Sequence, residues 1–147
     1  MQAKVFAAVT CLALSQIAFG QTLAVKSGLW ETRSVDDDGT VSKSRECITA
    51  EQLKQQLARL QSRPDCKAAF STATSKQTVF DVSCQIKSTT VKTHAEQEAI
   101  DSEHIRSTIT ATIIRNGTPN VSAMKGDAHF ISASCGNVKP GEPEDLP

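Results

Sequence analysis

The chain has 147 residues, with 16 Lys and Arg against 16 Asp and Glu, so its formal net charge is zero. That balance offers no electrostatic footprint for nucleic acid or for an anionic membrane surface. Aromatic residues make up 4% of the chain and tyrosine is absent, which leaves few large side chains with which to fill a core.

At the N-terminus, Lys4 precedes the apolar run VFAAVTCLALSQIAF, and the small residues Ala18 and Gly20 stand before Gln21. This pattern predicts a cleaved signal peptide over residues 1–20. An apolar run of about 15 residues, interrupted by Thr10, Ser15 and Gln16, falls short of the roughly 20 needed to span a bilayer, so no membrane span is expected. Cys11 leaves with that segment, and Cys47, Cys66, Cys84 and Cys135 remain. An even number of cysteines in an exported chain predicts two disulfides, in a periplasmic or secreted protein. No C-x-x-C pair suggests redox chemistry or zinc. Of the three possible pairings, Cys47–Cys66 with Cys84–Cys135 is preferred. The first bridge would flank one compact segment, and the second would tie a mid-chain strand to the last one. Cys66–Cys84 is the main rival.

Taken in order, GLWETRSV and TVSKSREC read as two extended runs joined at DDDG, where three adjacent aspartates and Gly39 fit a hairpin turn better than a calcium loop. A helix is expected over residues 50–62. Thr49 caps it, Gln52 reaches back, Ile48 staples against Leu53, and Leu53, Leu57 and Leu60 share one face. Pro64 stops it. KAAFSTAT predicts a strand that turns at Ser75 to Gln77. TVFDVSCQIK alternates, with Phe80, Val82, Cys84 and Ile86 on one side. TTVKTHAEQEAI reads as an edge or barrel-wall strand whose solvated side carries Lys92, His94, Glu96 and Glu98, although HAEQEAIDSEHIR also admits a helix. In HIRSTITATIIR, Ile105, Ile109, Ala111 and Ile113 share a side, Asn116-Gly117 marks a hairpin, and AHFISASC returns as the last strand. The final segment GNVKPGEPEDLP, residues 136–147, reads as a flexible tail rich in Pro, Gly and acid.

GLWE after the export signal, CITAE with a short helix, DCK opening a strand, the cysteine of VFDVSC, and a cysteine closing the final strand have a further meaning. Together, from Gly28 to Cys135, they resemble a secreted bacterial family of unknown function, the DUF3617 family. The resemblance implies export, four paired cysteines and a mostly β domain, and it implies no mechanism.

The expected architecture is one disulfide-bonded domain over residues 21–135, mainly β (α+β). It is an antiparallel meander of about six or seven strands curved into a partial barrel or sandwich, with one short helix after the second strand. No phosphate loop, nucleophile elbow or H-E-x-x-H motif is present, and no cofactor is expected. Three functions are open. The first is a non-catalytic domain that binds a small apolar molecule in a barrel-like cavity lined by Trp30, Phe80 and Ile109. The second is a module that binds another envelope protein through a strand edge or the helix face. The third is a hydrolase using His94 and Glu96 in acid-base or metal chemistry, since positions i and i+2 on a strand converge on one side.

Overall fold

The computed structural model of the chain describes residues 23–147, without the side chains of residues 53, 54, 56, 57 and 60. The expected signal peptide, residues 1–20, and the packing of the leucine stripe lie outside the described residues. The elements are β1 (Gly28–Asp36), β2 (Val41–Ile48), α1 (Ala50–Ser62), β3 (Cys66–Ala73), β4 (Gln77–Ile86), β5 (Thr89–Ala99), β6 (His104–Arg115), β7 (Thr118–Ser132) and β8 (Glu144–Leu146).

All eight strands form one open antiparallel sheet in the order β3-β4-β5-β6-β7-β1-β2-β8. The mainly β fold with a single helix agrees with the sequence reading. From β3 to β7 each strand follows its neighbour through a tight turn. Asn116 and Gly117 both adopt positive φ, 51° and 79°, as a hairpin turn of the primed type demands. At the β1–β2 turn, the Asp38 carboxylate accepts the Thr40 N–H at 2.8 Å, which holds its pKa below the usual value, and Gly39 takes φ 86°.

The α1 helix spans the predicted residues, and its cap is built as expected. The Thr49 hydroxyl accepts the Gln52 N–H at 3.1 Å while the Gln52 side-chain carbonyl accepts the Thr49 N–H at 3.4 Å. Gln52 is buried and donates to Glu46 at 3.0 Å. Glu46 pairs with Trp30, so the helix starts on the Trp30 side of the sheet. It then leads to the start of β3 at the opposite edge of the sheet and lies near that strand.

Two expectations are corrected. The disulfides are Cys47–Cys135 and Cys66–Cys84, not Cys47–Cys66 and Cys84–Cys135. Cys66 and Cys84 face one another across the β3–β4 ladder, and Cys47 lies at the end of β2 where the chain leaves β7. Residues 136–147 do not form a flexible tail: Pro140 bridges to Cys47, and Glu144–Leu146 pair with Lys43–Arg45. The bridge at Cys135 delivers this segment to the free edge of β2, where its backbone groups find partners.

A chord of extended chain crosses one end of the sheet. The Lys26 N–H donates to Ser102, between β5 and β6, and the Ala24 N–H donates to Ser75, between β3 and β4. Four residues from Ala24 to Gly28 with the hydrogen bond to Ser75 reach at most about 17 Å, whereas the flat separation of β1 from the β3–β4 turn is roughly 21 Å. The sheet is therefore curved, in keeping with the expected partial barrel.

Candidate functional site

Residues paired across an antiparallel ladder share a side, so the registers divide the sheet into two faces. On one lie Phe70, Phe80, Val82, Ala95, Ile109 and Met124, together with Trp30. On the other lie seven of the eight strand Lys and Arg residues, namely Arg33, Lys43, Arg45, Lys67, Lys92, Arg106 and Lys125. Antiparallel sheets commonly segregate in this way, one face dry and the other wet. Here, however, the apolar face is thinly covered. Among the described residues its buried apolar positions are Trp30, Cys66, Val82 and Ala95, while Phe70 and Ile86 keep 37% and 46% of their surface. Among the described residues helix α1 meets the sheet at Glu46, through Gln52, and at the start of β3.

Phe80 and Ile109 stand in one row across the sheet, Phe70–Phe80–Ala95–Ile109–Met124, with the Phe70 and Phe80 rings 5.6 Å apart. The β1 residue in that row is Asp36, six residues along the strand from Trp30. Trp30 is fully buried instead, its ring edge-on to Phe130 at 5.9 Å and its indole N–H donated to the Lys26 carbonyl at 2.9 Å. Its surroundings are those of an anchor that fixes the first strand, because both its apolar body and its polar edge are satisfied within the fold. Sequence reading singled out Phe80 and Ile109 but missed Phe70 and Met124. The alternation that includes Phe70 is interrupted by a bulge between Phe70 and Thr72, and Met124 gains its neighbours through the β6–β7 register alone.

On the charged face, His94 and Glu96 do come together, and Asp81 of β4 joins them. The His94 ring places Nδ1 2.8 Å from Asp81 and Nε2 3.1 Å from Glu96. The bond to Asp81, then that to Glu96, raises the His94 pKa. Both ring nitrogens are thus engaged, on opposite sides of the imidazole. A general base needs one free nitrogen, and a metal needs ligands that converge on one point. Among the described residues no group of three His, Cys, Asp or Glu side chains is arranged to hold a metal ion. His104 bonds to Asp101 at 2.9 Å, and it stands opposite His129 across β6 and β7. Among the described residues no helix is long and apolar enough to cross a membrane.

No curated protein and no solved structure matches the chain. The model of a family described as protein of unknown function (DUF3617) matches residues 25–135, a span from the chord before β1 to the second cysteine of the long bridge, and the chain belongs to that family.

Proposed function

We propose that this is a non-catalytic binding domain, exported to the periplasm or beyond, that holds a small apolar ligand against the apolar face of its curved sheet. The observation that carries this reading is the run of apolar side chains from Phe70 to Met124, which the fold gathers on one face and leaves partly open. A continuous apolar surface on a soluble domain has a free-energy cost in water unless something covers it, and surfaces of this kind mark binding sites. A curved sheet flanked by a helix suits a molecule of modest size. Docking of another envelope protein is the second reading. Exposed Val41, Val121 and Ile131 on the other face give it weaker support, since they stand apart among charged residues.

Native mass spectrometry of protein purified without denaturation is expected to show a copurified small molecule. An environment-sensitive apolar dye such as 1-aminoanthracene should bind the emptied protein, and Phe80→Asp should abolish its uptake. A clean apo mass together with no dye uptake would transfer the assignment to a protein partner.

A further inference from the structure

One row inside the apolar face is polar from β2 to β4. Ser42, Ser34, Gly126, Ser107, Gln97 and Thr78 pair in register across β2, β1, β7, β6, β5 and β4, directly beside the row of Phe80 and Ile109. Gly126 is buried at the middle of this belt. A side chain there would meet the Ser107 hydroxyl at 2.6 Å and would lie 3.7 Å from that of Ser34, so the two hydroxyls lean over the glycine from either side. Ser107 Oγ donates to the Gly126 carbonyl at 3.4 Å. Among the described residues, the half-buried side chains of Ser34, Gln97 and Thr78 make no hydrogen bond.

A ligand that covered this row with hydrocarbon alone would strand those groups without partners, which opposes binding. The occupant must bring hydrogen-bonding atoms to the belt. It has no reason to bring a negative charge. Among the described residues Arg115 is the single strand cation on this face and lies eight residues along β6 from Ser107, and Lys26, over the Phe130 ring at 5.2 Å, is already paired with Glu103, whereas Asp36 ends the adjacent row and Glu46 stands on the same face. Nor does the belt itself hold a carboxylate to attract a cation.

We infer that the ligand is an amphiphile with an uncharged, hydroxyl- or amide-bearing head: its chain lies along Phe70, Phe80, Ile109 and Met124, and its head is held by Ser34, Ser107, Gln97 and Thr78. This inference rests on the binding function proposed above and adds the class of ligand. Single-chain amphiphiles of equal length distinguish the heads. Monolaurin, laurate and dodecyltrimethylammonium, each below its micellar concentration, are to be titrated against the dye-loaded mature protein.

Monolaurin should displace the dye at a concentration about tenfold lower than either charged competitor, the difference that one or two satisfied hydrogen bonds supply. In a Ser34→Ala/Gln97→Leu variant the preference for monolaurin over the charged competitors should shrink to about threefold or less. Ser34→Ala alone serves if the double variant does not fold. Equal displacement by all three, or preference for a charged head, overturns the inference and leaves the apolar site standing. Failure of the wild-type protein to bind the dye or any amphiphile overturns both.

Discussion

His94 shows how a single side chain can look like chemistry in a sequence and act as a clasp in the fold. Its neighbour Glu96 is visible at the spacing of two, but Asp81 is not, because only the β4–β5 register places it opposite. With carboxylates at both nitrogens, the imidazolium is favoured and the folded-state pKa is raised above its ordinary value of about 6.5. The stabilisation from protonated His94 is therefore fully present below that ordinary value, and it is lost as pH rises through the raised one. The ring is 45% exposed, so solvent screens the pair and the effect on stability is slight. An NMR titration of the imidazole should give a midpoint above 6.5, and Asp81→Asn should lower it more than Glu96→Gln does. A midpoint at or below 6.5 in the wild-type protein would show that the two bonds do not persist in solution.

At the scale of elements, what was legible in the sequence is local and what was not is relational. Helix α1 follows from Thr49, Gln52 and Pro64, all within reach of one another along the chain, and the Asn116-Gly117 turn carries its geometry in two residues. The alternation in β4, β5 and β6 assigns the right residues to the right faces, since a period of two is a property of the strand alone. The disulfides depend instead on strand order, because the helix carries β3 to the far edge from β2 and thereby separates Cys47 from Cys66. No spacing records that separation. The strand β8 was hidden for a similar reason: a short acidic segment has weak strand preference, and its partner edge is known only once β2 is placed.

The two bridges also differ in what they constrain. Cys47–Cys135 closes a separation of 88 residues and Cys66–Cys84 one of 18. On the chain-entropy account, the longer loop stabilises by about 1.4 kcal/mol more than the shorter. Denaturant unfolding of Cys47→Ser/Cys135→Ser should show the larger loss, together with release of the segment that carries β8. An equal or smaller loss than in Cys66→Ser/Cys84→Ser would mean that the native contacts of each bridge, and not its loop, set its contribution.

For the whole molecule, stability and the proposed binding fall on different parts of one face. Among the described residues Trp30 is the one large side chain with no exposure, and it lies at the end of the sheet where the chord, β7 and the start of α1 meet. Ile109 lies in the partly open row, where a ligand would supply the missing contacts. Trp30→Ala should therefore cost about 3–5 kcal/mol in denaturant unfolding, as loss of a buried tryptophan does elsewhere. Ile109→Asp should cost much less, because that position is not fully buried in the free protein. The gap between the two variants narrows when ligand is added. At a free concentration one hundred times Kd, a ligand that binds only the folded state adds about 2.7 kcal/mol. The wild-type melting temperature should accordingly rise with monolaurin, whereas Ile109→Asp should show no rise at any concentration below the micellar limit. If Ile109→Asp instead destabilises the free protein as severely as Trp30→Ala, the row from Phe70 to Met124 is core rather than site, and the apolar face is already closed without a ligand.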